Sequence, residues 1–299
     1  MVFFSIVFPV FMIIGLGYVF GRNSEIDMKA PSRLAIYIFN PALYFNSMIT
    51  ARVENDEFIK VIIYAALLFI SCTAIVYMVN HFLLKYPQNM RSPLLLSTVF
   101  PNTGNYGLPI VLFAFGNIGF ERAVVFTVFQ SFLINSAGVY FASNSENNIK
   151  DSLKNMLKMP GFIALIVAIL MKNFNLLPPD FMMKPIELLG QAAIPTLLII
   201  LGIQLSKAKI VFDWKFITTS VILRLFIYPL MAFILIPLFF DLQSVTGKVL
   251  LVLAATPSAV STTLFAIQFN AKPQLVSTIT LITTLLSVGT ISVLLTIIL

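Results

Sequence analysis

Pro101-Asn102-Thr103-Gly104-Asn105-Tyr106-Gly107-Leu108-Pro109 is a polar, helix-breaking stretch that lies between two apolar runs. A second stretch of the same kind, Ala255-Thr256-Pro257-Ser258-Ala259-Val260-Ser261-Thr262-Thr263, lies near the other end of the chain. Proline removes a backbone donor and clashes with the preceding helical turn, and glycine loosens the backbone further. Because hydrocarbon tolerates unpaired backbone only where it is buried in protein or faces water, we expect both breaks to lie inside the molecule.

The composition places these breaks in a polytopic integral membrane protein. Hydrophobic residues make up 59% of the chain, charged residues make up 10%, and the mean hydropathy is +0.97. Soluble domains carry about 25% charged residues. The net charge of +7 comes from basic residues in short loops between apolar spans, which is typical of topology signals and lipid headgroup contacts. The sequence contains no basic stripe with interleaved aromatic residues, so nucleic-acid binding is not indicated.

Few side chains in this sequence suit metal, redox or proton chemistry. Cys72 is the sole cysteine and His81 the sole histidine, so we expect neither an intrachain disulfide nor a metal site, and no cofactor is indicated. All twelve Asp and Glu are predicted to fall in loops or near span ends, with Glu121 and Glu187 closest to the membrane. Any ion coupling would then use carbonyls, hydroxyls, amides or an acid at the membrane boundary.

Hydropathy predicts ten membrane spans joined by short loops. The apolar N-terminus is expected to be a retained first helix rather than a cleaved signal peptide. The most polar loop, 143–159, is predicted to be a cytoplasmic linker that divides the chain into units 1–142 and 160–299, each with five spans. The predicted spans are 2–20, 33–50, 58–80, 93–116, 121–142, 160–177, 185–205, 215–240, 246–270 and 274–298.

The two units carry helix-breaking prolines at matching places. Pro41 and Pro195 are 154 positions apart, and Pro101 and Pro257 are 156 positions apart. These similar offsets predict an internal repeat. Because five spans is an odd number, the two copies would have opposite orientations, which is typical of secondary transporters, and matching breaks indicate the binding site.

Basic residues predict the orientation of the chain in the membrane. The loops after the first, third, fifth, seventh and ninth spans hold twelve Lys and Arg, and the remaining loops hold six. The richer side is expected to be cytoplasmic, so both termini would be extracytoplasmic.

The breaks supply the candidate binding residues. A helix that starts at mid-membrane presents free amide donors and a partial positive charge, which suit an anion, while the freed carbonyls suit a cation. The alternative is a pair of proline-kinked helices whose hydroxyls bond their own backbone. The polar side chains at the breaks are Asn102, Thr103, Asn105, Ser258, Ser261 and Thr262.

Two further polar residues lie within predicted spans. Asn40 precedes Pro41, where its side chain faces a central cavity or satisfies a carbonyl that the proline frees. Arg224 lies at a depth where a charge must face protein or water. It attracts an anionic substrate, holds the carbonyls of a broken helix, or extends to the interface. Interhelical hydrogen bonding is expected for the remaining amide side chains, Gln130, Asn135, Gln191, Gln204 and Gln268.

The motif 101–109, together with Thr256-Pro257-Ser258 late in a ten-span chain, resembles the auxin efflux carrier family over essentially the whole sequence. The resemblance implies a fold similar to the bile acid:sodium symporters, in which broken spans four and nine cross. Spans three to five and eight to ten would move as a transport domain against a scaffold of spans one, two, six and seven. Elevator-like motion would give alternating access, and the scaffold would form the surface of a possible homodimer.

Carried onto this chain, the resemblance implies substrate contacts in both breaks. A bacterial-type permease for a small organic anion in the inner (cell) membrane fits better than a hormone exporter, because the central loop is short. Span nine lacks the acidic residue of the sodium-coupled relatives, although a sodium-coupled solute symporter is the alternative and a proton the other possible coupling ion. A channel or a membrane-embedded enzyme fits less well. The implied contacts are Asn102, Thr103, Gly104 and Asn105 in the first break and Pro257 and Ser258 in the second.

Overall fold

The computed structural model describes residues 3–51, 55–143 and 159–299. Within these ranges the chain is helical and forms no β-strand apart from one isolated antiparallel bridge between Pro101 and Ser258. Most of the linker predicted at 143–159 lies outside the described residues.

The helices differ widely in length. In chain order the helices are α1 (Phe3–Asn23), α2 (29–49), α3 (Asp56–Leu84), α4 (Gln88–Thr98), α5 (Thr103–Ala142), α6 (Pro160–Asn173), α7 (Asp180–Ser206), α8 (Trp214–Leu238), α9 (Val245–Ala254), α10 (Ser261–Gln268) and α11 (Pro273–Ile298). Among the described residues, six helices are long and apolar enough to cross a membrane, and these are α1, α3, α5, α7, α8 and α11.

Of the remaining predicted spans, 33–50 corresponds to α2, and the others are divided, merged or shortened in the structure. The predicted span 246–270 consists of α9 and α10, and the span 93–116 consists of α4 and the start of α5. Helix α5 then continues across the predicted boundary between spans four and five, interrupted at Gly116. This glycine has φ 61° and ψ −159°, a conformation that a side chain would oppose. The predicted span 160–177 ends earlier, because α6 stops at Asn173.

Close helix packing holds α1 against α7. A Cβ atom added to Gly17 would lie 2.4 Å from the carbonyl oxygen of Ile199, and one added to Gly202 would lie 2.1 Å from that of Ile14. Only glycine allows this approach of two backbones, which increases the van der Waals contact that drives helix association in a membrane.

Polar contacts tie together the helix ends at each end of the molecule. Arg122 pairs with Glu57 at 2.9 Å and also donates to the Thr246 hydroxyl, so α3, α5 and α9 are joined at one end. At the opposite end, Lys207 after α7 donates to the Ser24 carbonyl after α1 at 3.1 Å. Glu57 lies in the first turn of α3, where its charge also complements the helix dipole.

Candidate functional site

The two breaks meet and hydrogen-bond to each other. The amide of Asn102 donates to the Pro257 carbonyl at 2.8 Å, and the amide of Ala259 donates to the Phe100 carbonyl at 2.9 Å. Each break therefore satisfies backbone groups that the other has lost from its helix, as buried backbone requires. We call this antiparallel contact between 100–102 and 257–259 the crossing.

Gly107 allows α9 to approach the first break. A Cβ atom at this position would lie 2.7 Å from Leu253 Cδ2 and 3.2 Å from Thr256 Cγ2. The second glycine of the 101–109 motif therefore lies in close packing at the crossing, where an added methyl group would require the side chains of Leu253 and Thr256 to shift. In contrast, a Cβ atom at Gly104 would meet only Thr127 Cγ2, at an ordinary 3.8 Å.

Arg224 lies beneath the crossing and is fully buried. Its Nε donates to the Thr256 carbonyl at 3.0 Å, its Nη1 donates to the Thr98 carbonyl at 3.1 Å, and its Nη2 donates to the Ala254 carbonyl. The guanidinium carbon also lies 3.8 Å from the centre of the Tyr228 ring. Of the roles considered from the sequence, the structure shows Arg224 holding the carbonyls of the broken helices.

These contacts give the crossing an uneven charge distribution. The carbonyls bound by Arg224 end α4 and α9, and a helix C-terminus carries about half a negative charge. One guanidinium therefore offsets both C-termini. Helices α5 and α10 begin at the same crossing, and their N-termini contribute partial positive charge. None of the ion pairs among the described residues involves Arg224.

A cavity of about 310 Å³ adjoins the first break. Helices α2, α5, α6, α7 and α10 complete its walls. Pro257, Ser258 and Arg224 do not line this space, and lie behind it in the crossing. The candidate residues that line it are Asn40, Asn102, Thr103, Gly104, Asn105 and Ser261.

Several polar atoms of this crossover cavity have no protein partner. Asn102 is 5% exposed, and its Nδ2 makes no hydrogen bond to any described residue. Asn40 Oδ1 and Gln204 Oε1 likewise make no hydrogen bond to any described residue. A buried polar atom without a partner is costly, so such atoms in a cavity wall indicate where a ligand or water binds.

Two polar groups of the second break bond within the protein, whereas the buried Ser258 hydroxyl has no partner among the described residues. The amide of Ser258 donates to Thr283 Oγ1 on α11 at 3.2 Å, and Thr262 Oγ1 donates to the Ala259 carbonyl at 2.6 Å. The Thr262 contact matches the structural role that was considered for these hydroxyls, namely bonding their own backbone.

Some residues near the site were missed or interpreted differently from the sequence. Gln204 was expected to bond between helices, but it lines the crossover cavity. The polar stripe of α11 was not recognised, although buried hydroxyls recurring every three or four residues in an apolar helix are a sequence signal for a face turned towards protein. Its members are Ser277, Thr278, Thr280, Thr283, Thr284 and Ser287.

Two further cavities border α2 and α7 at opposite ends of the molecule. One, of about 610 Å³, is lined by Arg33, Lys207, Lys209 and Asp27, and it shares Gln204 with the crossover cavity. We call this space the basic vestibule. The other, of about 750 Å³, is lined by α2, α5 and α7 and includes two carboxylates, those of Glu121 and Glu187.

The chain is similar to known transporters over nearly its whole length. An uncharacterized transporter of Methanocaldococcus jannaschii is 29% identical over 300 residues, covering 95% of this chain and 94% of that protein. An uncharacterized transporter of Methanothermobacter thermautotrophicus is 24% identical over 293 residues, covering 94% and 93%. The family model described as "Membrane transport protein" matches residues 2–295. The chain therefore belongs to this membrane transport protein family, the auxin efflux carrier family, as the 101–109 motif predicts.

Proposed function

We propose that this membrane transporter is a secondary active carrier for a small organic anion, with a carboxylate as the bound group. The proposal is carried by Asn102 Nδ2, which lies in the crossover cavity at the N-terminus of α5 and has no hydrogen-bond partner in the described part of the chain. A charge-assisted hydrogen bond from this amide would offset its burial only when an acceptor is bound.

The first turn of α5 adds backbone donors. Asn102 caps this turn without a side-chain hydrogen bond, and its carbonyl accepts from Gly107. The amides from Thr103 to Tyr106 have no acceptor within their own helix, as at any helix start. A carboxylate beside Asn102 would accept from these amides and neutralise the positive end of the helix. The cavity volume is at the small end of the range for ligand sites, which favours a compact solute.

Helix pairing supports an inverted repeat of five plus five spans. The repeat would equate α1 with α6 and α2 with α7. Under this equivalence, a contact between α1 and α7 should be matched by a contact between α6 and α2. Both pairs of helices pack closely. Each uses a glycine, since Gly17 of α1 lies against Ile199 of α7 and Gly161 of α6 lies against Tyr44 of α2.

The positions of the cavities support elevator-type alternating access. Helices α1, α2, α6 and α7 would form the scaffold, which would also provide the surface of a homodimer. The other helices would move as the transport domain. The basic vestibule and the cavity at the opposite end both lie between these two groups, as a site that slides between two openings requires. The basic vestibule would face the cytoplasm, because the loops at this end of the molecule carry more Lys and Arg than those at the other end.

The proposal is tested by thermal-shift binding with purified protein against dicarboxylates, monocarboxylates, indole acids and amino acids. We expect one class of anion to raise the melting temperature of the wild type and to lose this effect in Asn102→Ala. Ser258→Ala is the matched control, because its hydroxyl is buried in the crossing but outside the cavity.

Flux measurements separate a carrier from a channel. In proteoliposomes we expect uptake of the stabilising anion to saturate with concentration and to exchange with unlabelled anion inside. Unitary currents would contradict the carrier, and stabilisation that survives Asn102→Ala would move the site away from the first break.

A further inference from the structure

The carbonyls beneath the crossing form an arrangement that usually serves a cation. In transporters with broken helices, carbonyls from unwound backbone and half-helix C-termini coordinate coupling ions such as Na⁺. Here three such carbonyls, of Thr98, Ala254 and Thr256, converge from two different half-helices. They converge on the side chain of Arg224 rather than on a free ion.

We propose that Arg224 is a built-in substitute for a coupling cation, so that the crossing closes without Na⁺ and this position does not couple transport to sodium. The inference concerns the ion requirement of the crossing and holds whichever solute binds in the cavity above it.

The charge on Arg224 matches the requirement of this place. The C-termini of α4 and α9 together present about one negative charge, and a guanidinium supplies one positive charge. Unlike a lysine ammonium, a guanidinium stays protonated and directs several donors in one plane, so it binds carbonyls of two helices at once.

The contacts of Arg224 occupy the position that a coupling cation would take between the carbonyls. Its donors engage carbonyls at the ends of both half-helices, and the Tyr228 ring lies over the guanidinium 3.8 Å away. The side chain is fully buried and is covalently part of α8, so its charge cannot exchange with solvent as a bound ion does.

Thermal unfolding of the substrate-free protein tests the proposal. Wild-type protein is compared in NaCl, KCl and choline chloride at equal concentration, and we expect the same melting temperature in all three. Arg224→Ala removes the charge and leaves space. In choline chloride we expect its melting temperature to fall by about 10 °C, because buried carbonyls lose their donors.

Small cations then distinguish a charge site from simple packing. We expect millimolar guanidinium or added Na⁺ to restore part of the melting temperature of Arg224→Ala and to leave the wild type unchanged. Arg33→Ala is the matched control, because Arg33 is exposed and no restoration is expected there. Arg224→Lys should lie between the wild type and Arg224→Ala, since it keeps the charge but loses the planar set of donors.

Three results would overturn the proposal. These are stabilisation of the wild type by Na⁺ over choline, an unchanged melting temperature in Arg224→Ala, and a lowered one that no cation restores. If Arg224→Ala does not fold, the wild-type comparison and Arg224→Lys decide. Because no substrate is present, a failure here is independent of the anion proposal.

Discussion

The two breaks share a helix-breaking proline but have different roles. Both place a proline between apolar helices, and each donates one backbone hydrogen bond to the other at the crossing. Both half-helices that lead into the breaks end on the guanidinium of Arg224. In the backbone, the two breaks are therefore close to equivalent.

Their side chains separate them. The first break presents Asn102 and Asn105 to the crossover cavity, and Asn102 Nδ2 has no protein partner among the described residues. The second break presents Ala259, Val260 and Ser261 to the same cavity, while the amide of Ser258 is bonded to α11. Ser258 Oγ also lacks a partner among the described residues, but it lies outside the cavity. We therefore infer that the first break serves the ligand, and that the second break makes a structural contact with α11.

The largest difference between the breaks should appear in ligand affinity. Asn102→Ala is expected to weaken binding of the stabilising anion about thirtyfold, because a hydrogen bond to a charged group contributes about 2 kcal/mol. Ser258→Ala should leave affinity unchanged. Dissociation constants for both variants are measured by titration calorimetry. Equal losses in the two variants would show that both breaks bind the ligand.

The second largest effect is expected from a substitution in the close packing at the crossing. Gly107→Ala is expected to lower the free energy of unfolding by about 1 kcal/mol, since the side chains of Leu253 and Thr256 must shift to admit the new Cβ. Gly104→Ala is the control, because its Cβ has ordinary space. Stability is measured by thermal and denaturant unfolding in the same detergent. A Gly104→Ala variant that unfolds as readily as Gly107→Ala would contradict the geometry.

Removing the contact between the second break and α11 should have an effect on stability that is no larger. Thr283→Val keeps the shape but removes the acceptor of the Ser258 amide, which costs about 1 kcal/mol, or about 3 °C in melting temperature. Thr284→Val is the matched control, because its hydroxyl bonds only the Thr280 carbonyl within α11. If both variants melt together, the Thr283 contact contributes nothing to the second break.

The smallest effect should come from the basic vestibule that leads to the first break. Lys209→Gln is expected to slow initial anion uptake about twofold at low ionic strength and not at high salt, because it weakens long-range attraction. Lys272→Gln is the control, since this exposed lysine does not line the vestibule. Uptake is followed in proteoliposomes at two salt concentrations. An equal slowing by both variants would assign the effect to net charge.

Local sequence features are enough to establish the class of the protein and the places where spans four and nine break. Composition excludes a soluble domain, and the prolines at 101 and 257 break their helices by local sterics, which depend on neighbouring residues alone. The family follows from the same motif, and the comparisons confirm it. The boundary at Gly116 was also predicted from local hydropathy.

The role of each of these residues depends instead on contacts between distant parts of the chain. Every residue carries a similar carbonyl, so the sequence does not show that Arg224 binds those of Thr98, Ala254 and Thr256, up to 126 positions away. For the same reason it does not show that the two breaks bond to each other. Whether a polar side chain in a span lines a cavity, as Asn40 and Gln204 do, depends on which helices pack around it, and that is set by contacts between distant parts of the chain.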